Sequence, residues 1–179
     1  MRRSRREPLN LVLATCTVRD WQRGDEPSLV RHANNHGIWR CLRDAFPHPY
    51  TMADARRWVE YALRTEQEFA WAIAADGFAA GAIGLKPGWD VHRFNAEIGF
   101  WLGEEFWGRG IMTDAVRAVT EHAFASLGFH RLYAEVFAFN ATSARVLEKA
   151  GYEREGVLRA SAFKAGQRVD QLLYARVRA

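Results

Sequence analysis

Phe106-Trp107-Gly108-Arg109-Gly110-Ile111-Met112-Thr113 stands between a strand-like run, Ala96 to Leu102, and a long amphipathic run, Thr113 to Leu127. A glycine-rich turn leading from a strand into a helix N-terminus is a natural anion site. Glycines let the backbone approach a ligand closely, several N–H groups point one way, and the helix dipole adds a partial positive charge. The side chains around the turn are Trp, Arg, Ile and Met. The backbone is therefore the expected anion holder, with Arg109 as a helper. The turn has no Gly-Lys-Ser/Thr, so it is not a P-loop, and Gly108-x-Gly110-x-x-Thr113 lacks the third glycine of a dinucleotide fingerprint.

Outward from the turn, the chain reads as alternating strands and helices. Leu11 to Val18 is a first strand rich in β-branched residues. Glu26 to Asn35 is a helix opened by Asp25 and Pro27 and stopped by Gly37. Thr51 caps a helix running to about Arg64, with Asp54 completing a variant capping box and Trp58, Tyr61 and Ala62 at helical spacing. Phe69–Ala74 and Phe78–Leu85 are strands joined by the hairpin signal Asp76-Gly77. Beyond the turn, Ile111, Ala115, Ala118, Val119 and Ala123 make one apolar stripe. Arg131–Val136 is a strand, Ser143–Ala150 a helix ended by Gly151, and Tyr152–Leu158 and Val169–Val177 the last strands, around a loop at Ala165-Gly166. The order β-α-α-β-β-β-α-β-α-β-β predicts one α/β domain with a mixed sheet and helices on both faces. The expected bounds are a disordered basic tail over 1–8 and the domain over 9–179.

The composition narrows the classes. The chain has 179 residues, 49% hydrophobic and 26% charged, which fits a soluble globular domain of ordinary size. No apolar run approaches a membrane span, and no secretory signal precedes Glu7 and Pro8, so the cytoplasm is the expected compartment. Net charge is +4, and Arg2, Arg3, Arg5 and Arg6 account for all of it. The basic balance thus describes a tail and not a nucleic-acid-binding face. Cys16 and Cys41 form neither a disulfide framework nor a metal spacing, and the six histidines form no His-Glu-x-x-His pattern. No metal is expected. Seven Trp and eleven Phe exceed what one small core readily hides, so a homodimer is expected.

Four blocks in order carry a resemblance over nearly the whole chain, from about Val18 to Tyr174. They are Glu97-Ile98-Gly99-Phe100-Trp101-Leu102, then Trp107 to Ala115, then Asn140-Ala141-Thr142-Ser143, then Glu148-Lys149-Ala150-Gly151-Tyr152. Together they resemble the GNAT family of acyl-CoA-dependent N-acetyltransferases, and within it the RimJ/RimL-type ribosomal-protein N-terminal acetyltransferases. The resemblance implies the GNAT fold, an α/β (α+β) arrangement around a mostly antiparallel twisted sheet with one splayed parallel strand pair. It implies acetyl-CoA as cofactor. The splayed strands here would be Ala96–Leu102 and Arg131–Val136. A strand edge left unpaired in mid-sheet offers N–H and C=O groups to the pantetheine arm, as in strand addition. Cofactor contacts would then come from Ile98, Phe100, Trp101 and Leu102 on the strand. The pyrophosphate would meet Trp107, Gly108, Arg109, Gly110, Ile111, Met112 and Thr113, and Asn140, Ser143 and Arg145 would lie beyond. The family often opens the turn with Gln or Arg three residues before the first glycine; here that position is Glu105.

Asn140 and Ser143 read equally as a helix cap and first turn. In the resembled family the matching Ser lies near the thioester sulfur, where a hydroxyl would protonate the departing thiolate. Glu97 is the candidate base, since strand alternation puts it with Gly99 and Trp101 on one face. An α-amine of pKa ~8 needs little help to become neutral, whereas a lysine at ~10.4 needs much more. Some relatives carry a second carboxylate after a Glu-Gly pair; that pair is Glu155-Gly156 here, and the matching position is Ala162. The resemblance points to a peptide or protein N-terminal α-amine, including ribosomal proteins, as acceptor, with polyamines and aminoglycosides as alternatives. The loops Trp39–Thr51 and Gly88–Asn95, with Trp39, Phe46, Tyr50, Trp89, His92 and Phe94, are the expected pocket walls. Two other classes compete: a catalytically silent acyl-CoA-binding module, and a nicotinamide-dependent oxidoreductase. The latter suffers because the near-fingerprint follows several strands and not the first.

Overall fold

The computed structural model describes residues 8–178. The tail expected over 1–8 therefore lies, but for Pro8, outside the described residues. Among these, eight strands form one sheet in the order β1-β2-β3-β4-β5-β6-β8-β7. The strands are β1 (Asn10–Val12), β2 (Thr17–Asp20), β3 (Phe69–Ala75), β4 (Phe78–Pro87), β5 (Asn95–Leu102), β6 (Arg131–Phe137), β7 (Glu153–Lys164) and β8 (Gln167–Val177). All neighbours are antiparallel except β5 and β6. The helices are α1 (Glu26–Ala33), α2 (His36–Trp39), α3 (Met52–Arg64), α4 (Ile111–Ser126) and α5 (Ala141–Lys149).

Several elements follow directly from local chemistry. Asp76 and Gly77 take positive φ of 51° and 83°, as a two-residue turn between right-twisted strands requires. Thr51 and Asp54 form the reciprocal capping box that opens α3. The face of α3 that packs is set by Ala55 and Val59, flanked by Trp58 and Ala62; Tyr61, expected on that face, is largely exposed.

Two expectations fail for identifiable reasons. The single strand over Leu11–Val18 is two, because the chain turns at 13–16, where the Leu13 N–H donates to the Cys16 carbonyl at 2.8 Å. Thr15 in that turn donates to Asp114 of α4 at 2.8 Å, a partner far off in sequence. The first helix ends at Ala33, and Gly37 does not stop it but lies inside α2. The Asn35 side chain accepts from the N–H groups of Gly37 and Ile38 and starts that new turn. The last two strands are also longer than expected, reaching a tight turn at Ala165-Gly166.

Helices cover both sheet faces. On one side α4 and α5 bury Ile111, Ala115, Val119, Ala123 and Leu147 against Ala96, Ile98, Leu132, Ala134 and Val136. On the other, α1 and α3 pack Leu29, Ala33, Ala55 and Val59 against Ala72, Ala79 and Ala82. Strand alternation then puts Glu97, Gly99 and Trp101 of β5, and Tyr133 and Glu135 of β6, on the α1/α3 side.

Candidate active site

The parallel ladder between β5 and β6 is short. It pairs Asn95 with Arg131, Ala96 with Leu132 and Glu97 with Tyr133, and ends there. Beyond it β5 stays with β4 as far as Leu102, and β6 stays with β8 as far as Phe137. The two strands part, and the facing backbone edges of 98–102 and 134–137 are left without each other. A cavity of about 720 Å³ occupies the region. Ile98, Gly99, Phe100 and Trp101 line it from β5, Ala134 to Phe137 from β6, Asn140 from the cap of α5 and Ser143 from its first turn. Phe46, Tyr50 and Trp58 add an aromatic wall on the α3 side. Phe46 meets Trp101 edge-on with ring centroids 5.7 Å apart.

Glu97 thus shares one cavity with Asn140 and Ser143. Asn140 caps α5, accepting from the Ser143 N–H at 3.2 Å, and its Nδ2 donates to Ser143 Oγ at 2.9 Å. The helix-cap reading of this pair therefore holds. The hydroxyl accepts that bond, so its own proton remains available to another acceptor. Glu97 accepts from Arg43 Nη2. The same nitrogen lies 4.0 Å from Glu135 Oε2. Burial pushes the Tyr133 hydroxyl above its usual pKa, and the charges of Glu97 and Glu135 push it further. Arg43 and Glu135 were not among the sequence candidates. Alternation in β6 places Glu135 on the Glu97 face, but only the three-dimensional strand pairing brings Arg43 to it.

The glycine turn is a separate feature, since no residue from Trp107 to Thr113 lines the cavity. Gly108 and Gly110 have φ of +74° and +79°, a conformation that side chains resist. A Cβ at either would meet nothing within 4 Å. Gly110 precedes α4, and no side chain caps it. The N–H groups of its first turn are what such a helix start offers an anion. The side chains of Ile111 and Met112 are committed to the core, leaving their backbone as the accessible part. Arg109, the expected helper, is engaged by Asp76 at the β3–β4 tip, with Nη1 at 2.7 Å. Trp107 folds back so that Nε1 donates to the Leu102 carbonyl at 2.7 Å, which removes that carbonyl from the free edge. Leu102 and Arg145 do not line the cavity.

Glu105, the departure from the family pattern, is held by His32 Nδ1 at 3.0 Å and Arg31 at 3.5 Å. His32 is buried and its Nε2 has no partner. Desolvation holds its pKa below the usual histidine value, against the pull of Glu105. Of the expected pocket loops, Phe46 and Tyr50 reach the cavity, whereas Trp39, Trp89, His92 and Phe94 do not. Trp39 instead stacks on His48, and Phe94 on His130. No group of three or more His, Cys, Asp or Glu side chains among the described residues is placed to hold a metal ion. No helix among them is long and apolar enough to cross a membrane.

The family model described as "Acetyltransferase (GNAT) domain" matches residues 16–153. The protein named "Probable N-acetyltransferase YjcK" of Bacillus subtilis (strain 168) is 38% identical over 115 residues, 62% of this chain and 64% of that protein. The chain thus spans just under two thirds of that relative's length. The spermidine N(1)-acetyltransferase of Escherichia coli (strain K12) is 27% identical over 151 residues, 84% of this chain and 79% of that one. Among solved structures, RimL, the ribosomal L7/L12 alpha-N-protein acetyltransferase in complex with coenzyme A, superposes with a TM-score of 0.83 at 22% identity. That match covers 96% of this chain and 98% of RimL and speaks to the fold. The mostly antiparallel sheet, the one parallel pair that parts and the helices on both faces are those of that fold, and this chain belongs to the GNAT acetyltransferase family.

Proposed function

We propose that this chain, as a single cytoplasmic domain over 9–179, transfers the acetyl group of acetyl-CoA to a primary amine by direct attack in a ternary complex. The acceptor we assign is the α-amine of a peptide or protein N-terminus, as in the RimJ/RimL-type branch. The observation that carries this reading is the parting of β5 and β6 beyond Glu97 and Tyr133, with one cavity joining Glu97 to Asn140 and Ser143. Such a gap offers backbone hydrogen bonds to an amide-containing arm. The first turn of α4 would hold the pyrophosphate. Glu97 would take the amine proton, and the Ser143 hydroxyl would supply one to the departing thiolate. The aromatic wall of Phe46, Tyr50 and Trp58 suits an acceptor that brings apolar surface with its amine.

A second reading, acetylation of a polyamine, is favoured by Asp54 and Glu68, which join Glu97 and Glu135 along the same cavity. The likeness to spermidine N(1)-acetyltransferase supports it too. An acceptor screen with acetyl-CoA, reading free CoA release against N-terminal peptides, polyamines and aminoglycosides, decides between them. Release with peptides and not polyamines supports the first reading. No release with any amine, together with retained acetyl-CoA binding, would leave a binding module. A homodimer belongs to the proposal as well, since Trp89 and Phe163 are exposed; a monomer mass by light scattering would remove it.

A further inference from the structure

The acceptor side of the cavity already holds a cation of the chain's own. Arg43, in the loop between α2 and α3, donates from Nη2 to Glu97 Oε1 and lies 4.0 Å from Glu135 Oε2. The carboxylates come from the two strands that part, on one face of the sheet, and all three side chains line the cavity. Glu97 and Glu135 are 18% and 30% exposed, so water screens them incompletely, and their mutual repulsion favours a positive charge between them. Arg43 is 59% exposed, the most accessible of the three. Its backbone carbonyl nevertheless accepts from the Phe46 N–H at 3.0 Å. The neighbouring Asp44 accepts from Lys164 Nζ at 2.7 Å, and Lys164, from the end of β7, sits 4.1 Å above the Trp39 ring. An anchored loop with an exposed guanidinium allows the side chain to swing away while the wall of the site stays in place.

A primary ammonium entering the same cavity would need the same carboxylates, and its nitrogen must come close to Glu97 if that residue is to take its proton. We propose that Arg43 is an internal occupant of the acceptor's cation position, displaced when the substrate ammonium binds, and that Glu135 is a second positioning residue which helps Glu97 hold that ammonium. The proposal rests on the acetyltransferase reading of the cavity. It makes Arg43 a filter. An amine carrying its positive charge replaces the guanidinium like for like, whereas a neutral ligand would leave two carboxylates facing each other without a counter-ion.

Methylguanidinium, which copies the end of the arginine side chain, is the probe. Titrated calorimetrically, Arg43→Ala should bind it about tenfold more tightly than the parent, and adding Glu135→Gln should remove most of that gain. Arg43→Gln should behave as Arg43→Ala does, which guards against a packing effect of the smaller residue. With the best amine from the acceptor screen, Arg43→Ala should lower the acceptor KM roughly three- to tenfold and leave the acetyl-CoA KM unchanged. Methylguanidinium should then compete with the amine. Arg43→Ala binding the probe no better than the parent, or the double variant binding it equally well, would overturn the assignment. If the binding pattern appears but no variant acetylates any amine, the carboxylate pair stands and the enzymatic reading fails. If amines are acetylated without that pattern, the enzymatic reading stands and the role of Arg43 fails.

Discussion

Replacing Glu97 by Gln separates a base from a bystander. Gln keeps the shape, and Arg43 keeps its second carboxylate at Glu135, so the cavity wall should survive. At pH 7 an α-amine of pKa ~8 is mostly protonated, and presenting it neutral costs about 1.4 kcal/mol. A positioned base contributes typically ~10²- to 10⁴-fold, more than that deficit alone, because it also holds the amine in line. Glu97→Gln should therefore lower kcat by roughly a hundredfold or more at neutral pH. The loss should shrink as pH rises and the ammonium loses its proton without help. Affinity for acetyl-CoA should change little, since no residue of the turn that opens α4 lines the cavity that Glu97 faces. Ser143→Ala should behave differently. Asn140 still caps α5 through the Ser143 backbone N–H, so stability should fall by about 1 kcal/mol or less. A thiol of pKa ~8.5 departs tolerably as an anion, so the rate loss should be smaller than for Glu97→Gln and should not fade at high pH. The assay is a pH–rate profile of CoA release for parent and both variants. If Glu97→Gln matches the parent at every pH, Glu97 is not the base and solvent takes the proton.

Gly99 faces the cavity with ordinary backbone angles, and a Cβ there meets nothing. Gly99→Val should keep or raise the melting temperature yet cut kcat/KM at least about tenfold by filling the gap; unchanged kinetics would move the acceptor elsewhere. Gly110→Val has room for its side chain, but φ of +79° makes it strained, so it should cost roughly 1–2 kcal/mol of stability besides abolishing acetyl-CoA binding in calorimetry. Retained affinity in a folded variant would place the pyrophosphate away from this turn. His32 is buried with one nitrogen unpartnered and its folded pKa lies below the unfolded ~6.5, so the unfolded state binds more protons. Its contribution is complete above ~6.5 and is lost as pH falls through the depressed value. In denaturant titrations His32→Phe should lose less stability than the parent between neutral pH and pH 5, and parallel curves would sink the idea.

What could be read from sequence was what local chemistry decides. Asp76-Gly77, the Thr51/Asp54 box and the turn at Gly108 and Gly110 are set by neighbours a few residues away, and their conformations are as expected. Gly37 misled because glycine after an apolar run signals a helix end, while the stronger local signal was Asn35, which starts a new turn. The break after Val12 was invisible because Thr15 answers to Asp114 across the fold. The same division holds in the site. Glu97, Asn140 and Ser143 belong to recognisable blocks and do share a cavity. Arg43 and Glu135 meet only because β6 lies beside β5 and the loop between α2 and α3, far off in sequence, lines the same cavity. Arg109 was legible as a charge beside the turn, but its engagement by Asp76 depends on where the β3–β4 tip lands.

The sheet order carries one more consequence. β8 lies between β6 and β7, and it is the last of the described strands in sequence order. During synthesis β6 and β7 therefore emerge with no partner between them, each showing a row of unsatisfied backbone groups until residues 167–177 arrive. The same arrival brings the β7–β8 turn to its final place, and with it Lys164 against Asp44. A nascent or truncated chain that stops short of Gln167 would carry an unfinished cavity wall, lacking Gln171, together with two bare strand edges, a combination that recruits other chains and exposes the intermediate to aggregation.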